Sequence, residues 1–153
     1  MISIRRAELN DFEKVYNLIL QVHKLHVKNR KDIYKDVDPL NKKIFEEELN
    51  NVCLVAEKDD EIVGVCMANE KDFPNSYLMK GRKILNISEI CVDEEMQRQG
   101  IGTMLYNEVV NYAKCNNFDG VELMVWGFNK GAIEFYKKIG MDIKNIKFEK
   151  KIK

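Results

Sequence analysis

At 153 residues the chain is long enough for one domain with a buried core. Apolar residues make up 45% and charged residues 33%, the ordinary balance of a globular protein rather than a disordered or fibrous one. Lysine plus arginine equals aspartate plus glutamate at 25 each. No global field therefore draws the chain to nucleic acid or an anionic membrane, and any polyanion has to be held by a local device.

In chain order, Ile2 to Ala7 predicts a short strand. Asn10-Asp11 caps a helix whose apolar residues recur as Phe12, Val15, Leu18, Ile19, Val22 and Leu25, one buried face. The polar stretch from Lys28 to Asp38, ended by Pro39, reads as a loop. A shorter helix carries Ile44, Phe45 and Leu49. Val52–Glu57 and Glu61–Ala68 flank Lys58-Asp59-Asp60 as a hairpin. A long connection from Asn69 to Lys83, with Pro74, Asn75 and Gly81, leads to a strand over Ile84–Val92. Gly100 to Asn117 predicts a helix with Ile101, Leu105, Val109, Tyr112 and Ala113 along one stripe. Val121–Trp126 predicts a strand, and Asn129–Ile139 a helix stopped by Gly140. Met141 to Ile152 alternates loosely and predicts one or two closing strands. The strand–helix–strand unit from Ile84 to Trp126 should be a right-handed crossover between parallel strands, within an otherwise antiparallel, hence mixed, sheet.

No apolar run approaches the ~20 residues that cross a bilayer. The start, Met1-Ile2-Ser3-Ile4-Arg5-Arg6, lacks the apolar stretch of a signal peptide. A single domain over residues 1–153, cytoplasmic and without membrane or nucleic-acid partners, is the expectation. The lysines near the C-terminus are more simply a solvated face and edge strand than a nucleic-acid contact. Cys53, Cys66, Cys91 and Cys115 contain no Cys-x-x-Cys pair and read as reduced thiols, most of them core-facing.

The informative stretch runs from Glu89 to Gly102: a strand, a polar turn, then a helix beginning near Gly100. The first amides of a helix have no internal partner, and with the helix dipole they form a site for anionic oxygen. Arg98 adds a flanking charge, and Gly100 and Gly102 leave room for a bulky phosphate. The dinucleotide fingerprint fails, because Leu105 stands where its third glycine belongs. The P-loop fails for want of Gly-Lys-Ser/Thr. Gly-x-Gly alone is as well explained by a tight turn.

Gln97-x-x-Gly100-x-Gly102 after an apolar strand, followed by Asn129-x-x-Ala132-x-x-Phe135-Tyr136-x-x-x-Gly140-Met141, resembles motifs A and B of the GNAT N-acetyltransferase superfamily. Met141 departs from the family's usual Gly-Phe. The resemblance covers essentially the whole chain. It implies an α/β (α+β in some schemes) fold: a single mixed sheet of six to seven strands, about four flanking helices, and a splayed parallel strand pair. It implies acetyl-CoA as acyl donor, with no metal. The diphosphate would lie on the amides of Gln97, Arg98, Gln99, Gly100, Ile101 and Gly102, with Thr103 beside them. The pantetheine arm would run along Ile90, Cys91 and Val92, and Asn129 and Tyr136 would face the cofactor. A strand amide, from Ile90 or Val92, would stabilise the oxyanion, and Tyr136 would protonate the departing thiolate. Glu89 stands where members place a carboxylate base, although many place it one residue earlier, at Ser88 here. A bulge would be needed to bring Glu89 onto that face.

The acceptor would be a small-molecule amine or a protein amino group, met by residues between Val22 and Asp38 and between Asn69 and Lys83. His23, His26, Tyr34, Asp36 and Asp38 fall there. The two histidines read as hydrogen-bonded or solvated, since no third ligand cluster makes a zinc site. A monomer or homodimer is expected. A sensor or scaffold that binds acetyl-CoA without chemistry is the alternative function.

Overall fold

In the computed structural model, which describes residues 1–153, five strands form one sheet. These are β1 (Ile2–Arg6), β2 (Val52–Lys58), β3 (Glu61–Phe73), β4 (Arg82–Val92) and β5 (Gly120–Leu123), ordered across the sheet as in the chain. β1 to β4 pair antiparallel, and β5 lies parallel to β4. The helices are α1 (Phe12–Asn29), α2 (Lys42–Leu49), α3 (Ile101–Cys115) and α4 (Lys130–Lys138).

The period of two along β2 and β3 feeds two cores, one on each face of the sheet. Val52, Ala56, Cys66 and Ala68 join Leu85 and Ile87 beneath the stripe Ile101, Leu105, Val109 and Ala113 of α3. Cys53, Val55, Val65 and Met67 join Cys91 beneath Val15, Leu18 and Ile19 of α1 and Phe45 of α2. Burial on both faces explains why these strands read as continuous apolar runs. At Gly64 a Cβ would stand 3.0 Å from Leu105 Cδ1 and 3.1 Å from Ile101 Cγ2. The missing side chain lets α3 settle directly onto β3.

Cys53, Cys66 and Cys91 are free and buried, and Cys115 is exposed. The expected long connection before β4 is shorter than the sequence suggests. β3 runs on to Phe73 and β4 starts at Arg82, because polar residues are tolerated where the paired strands project beyond the core.

The sheet has five strands, not six or seven, because Met141–Lys153 forms none. Its apolar residues Ile143, Ile146, Phe148 and Ile152 are exposed. Ile146, Phe148 and Ile152 have the spacing of one strand face, but no strand edge of the sheet pairs with them. Charge holds this tail instead. Lys144 pairs with Glu122 on β5, and Lys151 lies 3.6 Å from Asp32. Arg30 makes two bonds to Glu149, of 2.7 and 3.0 Å. Replacing Arg30 by Ala should release the tail while the sheet stays intact. Trypsin should then cut faster after Lys147, Lys150 and Lys151; unchanged cleavage there would show that the ion pairs do not hold it.

Candidate active site

β4 carries the local irregularity on which the site depends. Met67 pairs with Glu89 and Ala68 with Ile87, which leaves Ser88 as the extra residue of a bulge. The Ser88 hydroxyl donates to the Met67 carbonyl at 3.2 Å. Across the bulge the side-chain phase inverts. Leu85 and Ile87 face α3, whereas Cys91 and, two residues before it, Glu89 face α1 and α2. The bulge that a base at position 89 requires is therefore present.

The parallel pairing of β4 with β5 runs only from Ile84–Gly120 to Ile87–Leu123. β5 ends there, three residues short of the expected Trp126, while β4 continues to Val92. From Ser88 onward that edge of β4 has no strand beside it, and this opens the cleft expected of splayed strands. α1 crosses the end of β4. Gln21 Nε2 donates to the Val92 carbonyl at 3.0 Å, and the Cys91 thiol donates to the Leu18 carbonyl at 3.0 Å. Beyond the cleft the indole N–H of Trp126 donates to Tyr34 Oη at 3.0 Å. His26 stacks on Tyr34 with centroids 4.9 Å apart, and the Arg30 guanidinium lies over the Trp126 ring at 5.0 Å. Trp126 and Phe128 were not singled out from the sequence. Nothing in the local pattern signals that a post-strand tryptophan will meet a tyrosine 92 residues earlier.

After β4 the chain makes a 3-10 turn, Glu94–Met96, and then enters α3. Its start is pinned twice: the Asp93 amide donates to the Val63 carbonyl at 2.9 Å, and the Glu94 amide to Gln21 Oε1 at 3.2 Å. Arg98 (φ 67°) and Gly100 (φ 79°) both take the left-handed conformation. This coils the main chain so that the amides from Gln97 to Thr103 find no acceptor within the protein; the first internal bond of α3 is Met104 N–H to Gly100 O, at 3.0 Å. A run of free amides at a helix N-terminus is an anion cradle. Arg98, in no ion pair, stands on its rim.

The two glycines act differently. At Gly100 the positive φ requires glycine, and nothing lies within 4 Å of where a Cβ would stand. At Gly102 the space before the Cα is already taken: Phe135 Cζ would lie 3.1 Å from a Cβ. Gly102 thus admits the ring of α4 against α3, rather than leaving an empty space for phosphate as the sequence suggested.

Burial pushes the Glu89 carboxyl up to about 7, and Glu48 on α2 reinforces the effect; no hydrogen bond offsets it. Tyr136 on α4 is raised above its ordinary value, by burial first and then by Cys66, Glu89 and Cys91. The Tyr136 ring meets Phe135 edge-on at 5.3 Å. Cys91 is pushed to about 12, chiefly by burial, which leaves no thiolate for a covalent intermediate at neutral pH. Asn129 caps α4, its side-chain oxygen accepting from the Ala132 amide at 3.1 Å. Of the loop residues, His23 donates through Nε2 to the Lys35 carbonyl at 2.8 Å, and Asp38 accepts from Tyr16 at 2.6 Å.

The family model described as acetyltransferase (GNAT) family matches residues 13–141. An uncharacterized N-acetyltransferase of Methanocaldococcus jannaschii, MJ1207, is 46% identical over 65 residues, 42% of this chain and 29% of that protein. The match thus spans under a third of that relative's length. Among solved structures, a tetramutant of the BH1408 protein of Bacillus halodurans has a TM-score of 0.94 and 31% identity, covering 98% of this chain and 99% of that one. A predicted acetyltransferase of Clostridium acetobutylicum, solved with acetyl-CoA, shares the fold at a TM-score of 0.69 and 22% identity, over 99% and 97% of the two chains.

Proposed function

The chain belongs to the GNAT family of acetyltransferases, and on that basis we propose that it transfers acetyl from acetyl-CoA to a primary amine by direct attack in a ternary complex. The observation that carries the reading is the row of acceptor-free amides from Gln97 to Thr103 at the head of α3, opening beside the unpaired edge of β4. These residues suit the coenzyme: the amides take the diphosphate with Arg98 alongside, and the backbone of Ile90 and the amide of Val92, on the edge of β4 away from β3, are offered to the pantetheine arm, with Cys91 between them paired to β3.

The amine enters from the α1–α2 side, where Glu89 faces. An amine of pKa about 10.4 is neutral only about once in 2,500 molecules at pH 7. Glu89 accepts its proton, directly or through a water. The nitrogen then bonds to the acetyl carbon, and a free amide of Ile90 or Val92 stabilises the oxyanion, which a single donor can do by roughly 3–4 kcal/mol. As the carbon–sulfur bond breaks, the Tyr136 hydroxyl gives its proton to the thiolate, and the surplus proton of the new amide nitrogen passes through water to restore the phenol. Burial keeps that phenol protonated until the charge forms. Asn129, fixed as the cap of α4, lines the coenzyme's side of the cleft.

Replacing Tyr136 by Phe should lower kcat by about 10²-fold or more, the share of one general acid, and leave the Kd for CoA within about twofold. Thiol release against a panel of amines measures the first and calorimetry the second. An unchanged kcat, with chemistry shown to limit the rate, removes Tyr136 as the acid. Coenzyme binding without thiol release for any amine favours a sensor.

A further inference from the structure

The cradle at the head of α3 is served by a residue far from either motif. Lys58, the last residue of β2, donates from Nζ to Gln99 Oε1 at 3.0 Å. That bond ties the middle of the turn, between left-handed Arg98 and Gly100, to the sheet. The direction of Lys58 is set by the β2–β3 turn, where Asp59 (φ 51°) and Asp60 (φ 64°) both take positive φ and fold β3 back at once. Lys58 is half-buried and in no ion pair. With Asp59, Glu61, Asp93, Glu95 and Met96 it lines a cleft of about 510 Å³ between the hairpin and α1.

Charge gives the second half of the argument. Asp93, Glu94 and Glu95 immediately precede the cradle and weaken its pull on an anion. Arg98 offsets one of them. Lys58, arriving from another strand, supplies a second cation within a side chain's length of the free amides, inside the roughly 8–10 Å over which such charges act at ordinary salt.

Building on the acetyl-CoA reading, we propose that Lys58 is a positioning residue for the coenzyme's diphosphate: through Gln99 it holds the 97–103 turn with its amides exposed, and its charge adds to that of Arg98. Acetyl-pantetheine, which carries the acetyl thioester but no diphosphate, separates this role from general support of the fold. Lys58→Met should raise the Kd for CoA and the KM for acetyl-CoA about tenfold, the value of one charge-assisted hydrogen bond, with kcat within about twofold. Its kcat/KM for acetyl-pantetheine should match the unsubstituted protein's. Lys58→Arg, which keeps the charge and the donor, should restore most of the affinity. The proposal is overturned if Lys58→Met binds CoA as the parent does, or if turnover of acetyl-pantetheine falls in step with that of acetyl-CoA. If the unsubstituted protein itself binds no CoA by calorimetry, the acetyl-CoA reading falls, and this inference with it.

Discussion

Gly102→Glu should abolish coenzyme binding. Residue 102 is the second of α3, where a glutamate carboxylate can turn back onto the free amides that open the helix. There it would be favoured by the dipole by about 0.3–1 kcal/mol, taking the cradle for itself. An incoming diphosphate then meets a fixed negative charge and loses its donors. With each charge-assisted bond worth roughly 1.5–3 kcal/mol, the loss of two is about a hundredfold or more in Kd. The fold should survive, because the contact a Cβ makes is with the far end of Phe135, a ring that can shift by tenths of an ångström. Gly102→Ala is the control: it makes the same contact without the charge and should retain most of the binding. Calorimetry with CoA gives the affinities, and a cooperative thermal melt shows that the variant is folded. A folded Gly102→Glu protein that binds CoA normally would place the diphosphate elsewhere.

Glu89→Gln should separate stability from activity, in opposite directions. The Glu89 carboxyl is raised from its ordinary 4.5 to about 7 in the folded protein, by burial and then by Glu48. Below pH 4.5 it is protonated in both states and costs nothing. Between 4.5 and 7 the folded state holds the proton more firmly than the unfolded state, so its contribution to stability falls as pH rises. Above 7 the full cost of a buried charge is present. At about 1.4 kcal/mol per pH unit the gap corresponds to up to roughly 3 kcal/mol, less whatever water screens. Glutamine escapes this cost, so Tm should rise at pH 8 and match the parent at pH 4. Turnover should fall by about 10²–10⁴-fold, the share of a general base. The limb of the parent's kcat/KM profile that rises near pH 7 should flatten in the variant. Equal Tm at pH 8 would mean that Glu89 is not held in a desolvating site. An unaltered profile would take the proton transfer away from it.

The elements were legible because their periods are strong. The i, i+4 stripe Ile101, Leu105, Val109, Ala113 gave α3, and the apolar runs about Asp59-Asp60 gave the β2–β3 hairpin. Spaced glycine, asparagine and aromatic residues gave the two motifs and hence the family. Their ends were less legible. β5 stops at Leu123 although Val125 and Trp126 continue the apolar pattern, because pairing with β4 ceases at Ile87. No residue of β5 carries that information. The tail reads as strand because Ile146, Phe148 and Ile152 alternate, and only the lack of a paired sheet edge decides otherwise.

Periodicity and turn chemistry determined the order of strands and helices as far as α4 and the turn that holds free amides, and the resemblance of two motifs implied the family, because each is written in residues a few positions apart. The tertiary structure decided what depends on distant partners. It placed Glu89 on the α1–α2 face through a one-residue bulge against β3, and it filled the space before Gly102 with Phe135. It also carried Lys58 from a hairpin to the head of α3 and closed the far side of the cleft with Tyr34 against Trp126. Burial and pairing across tens of residues set those placements, and no local pattern encodes them.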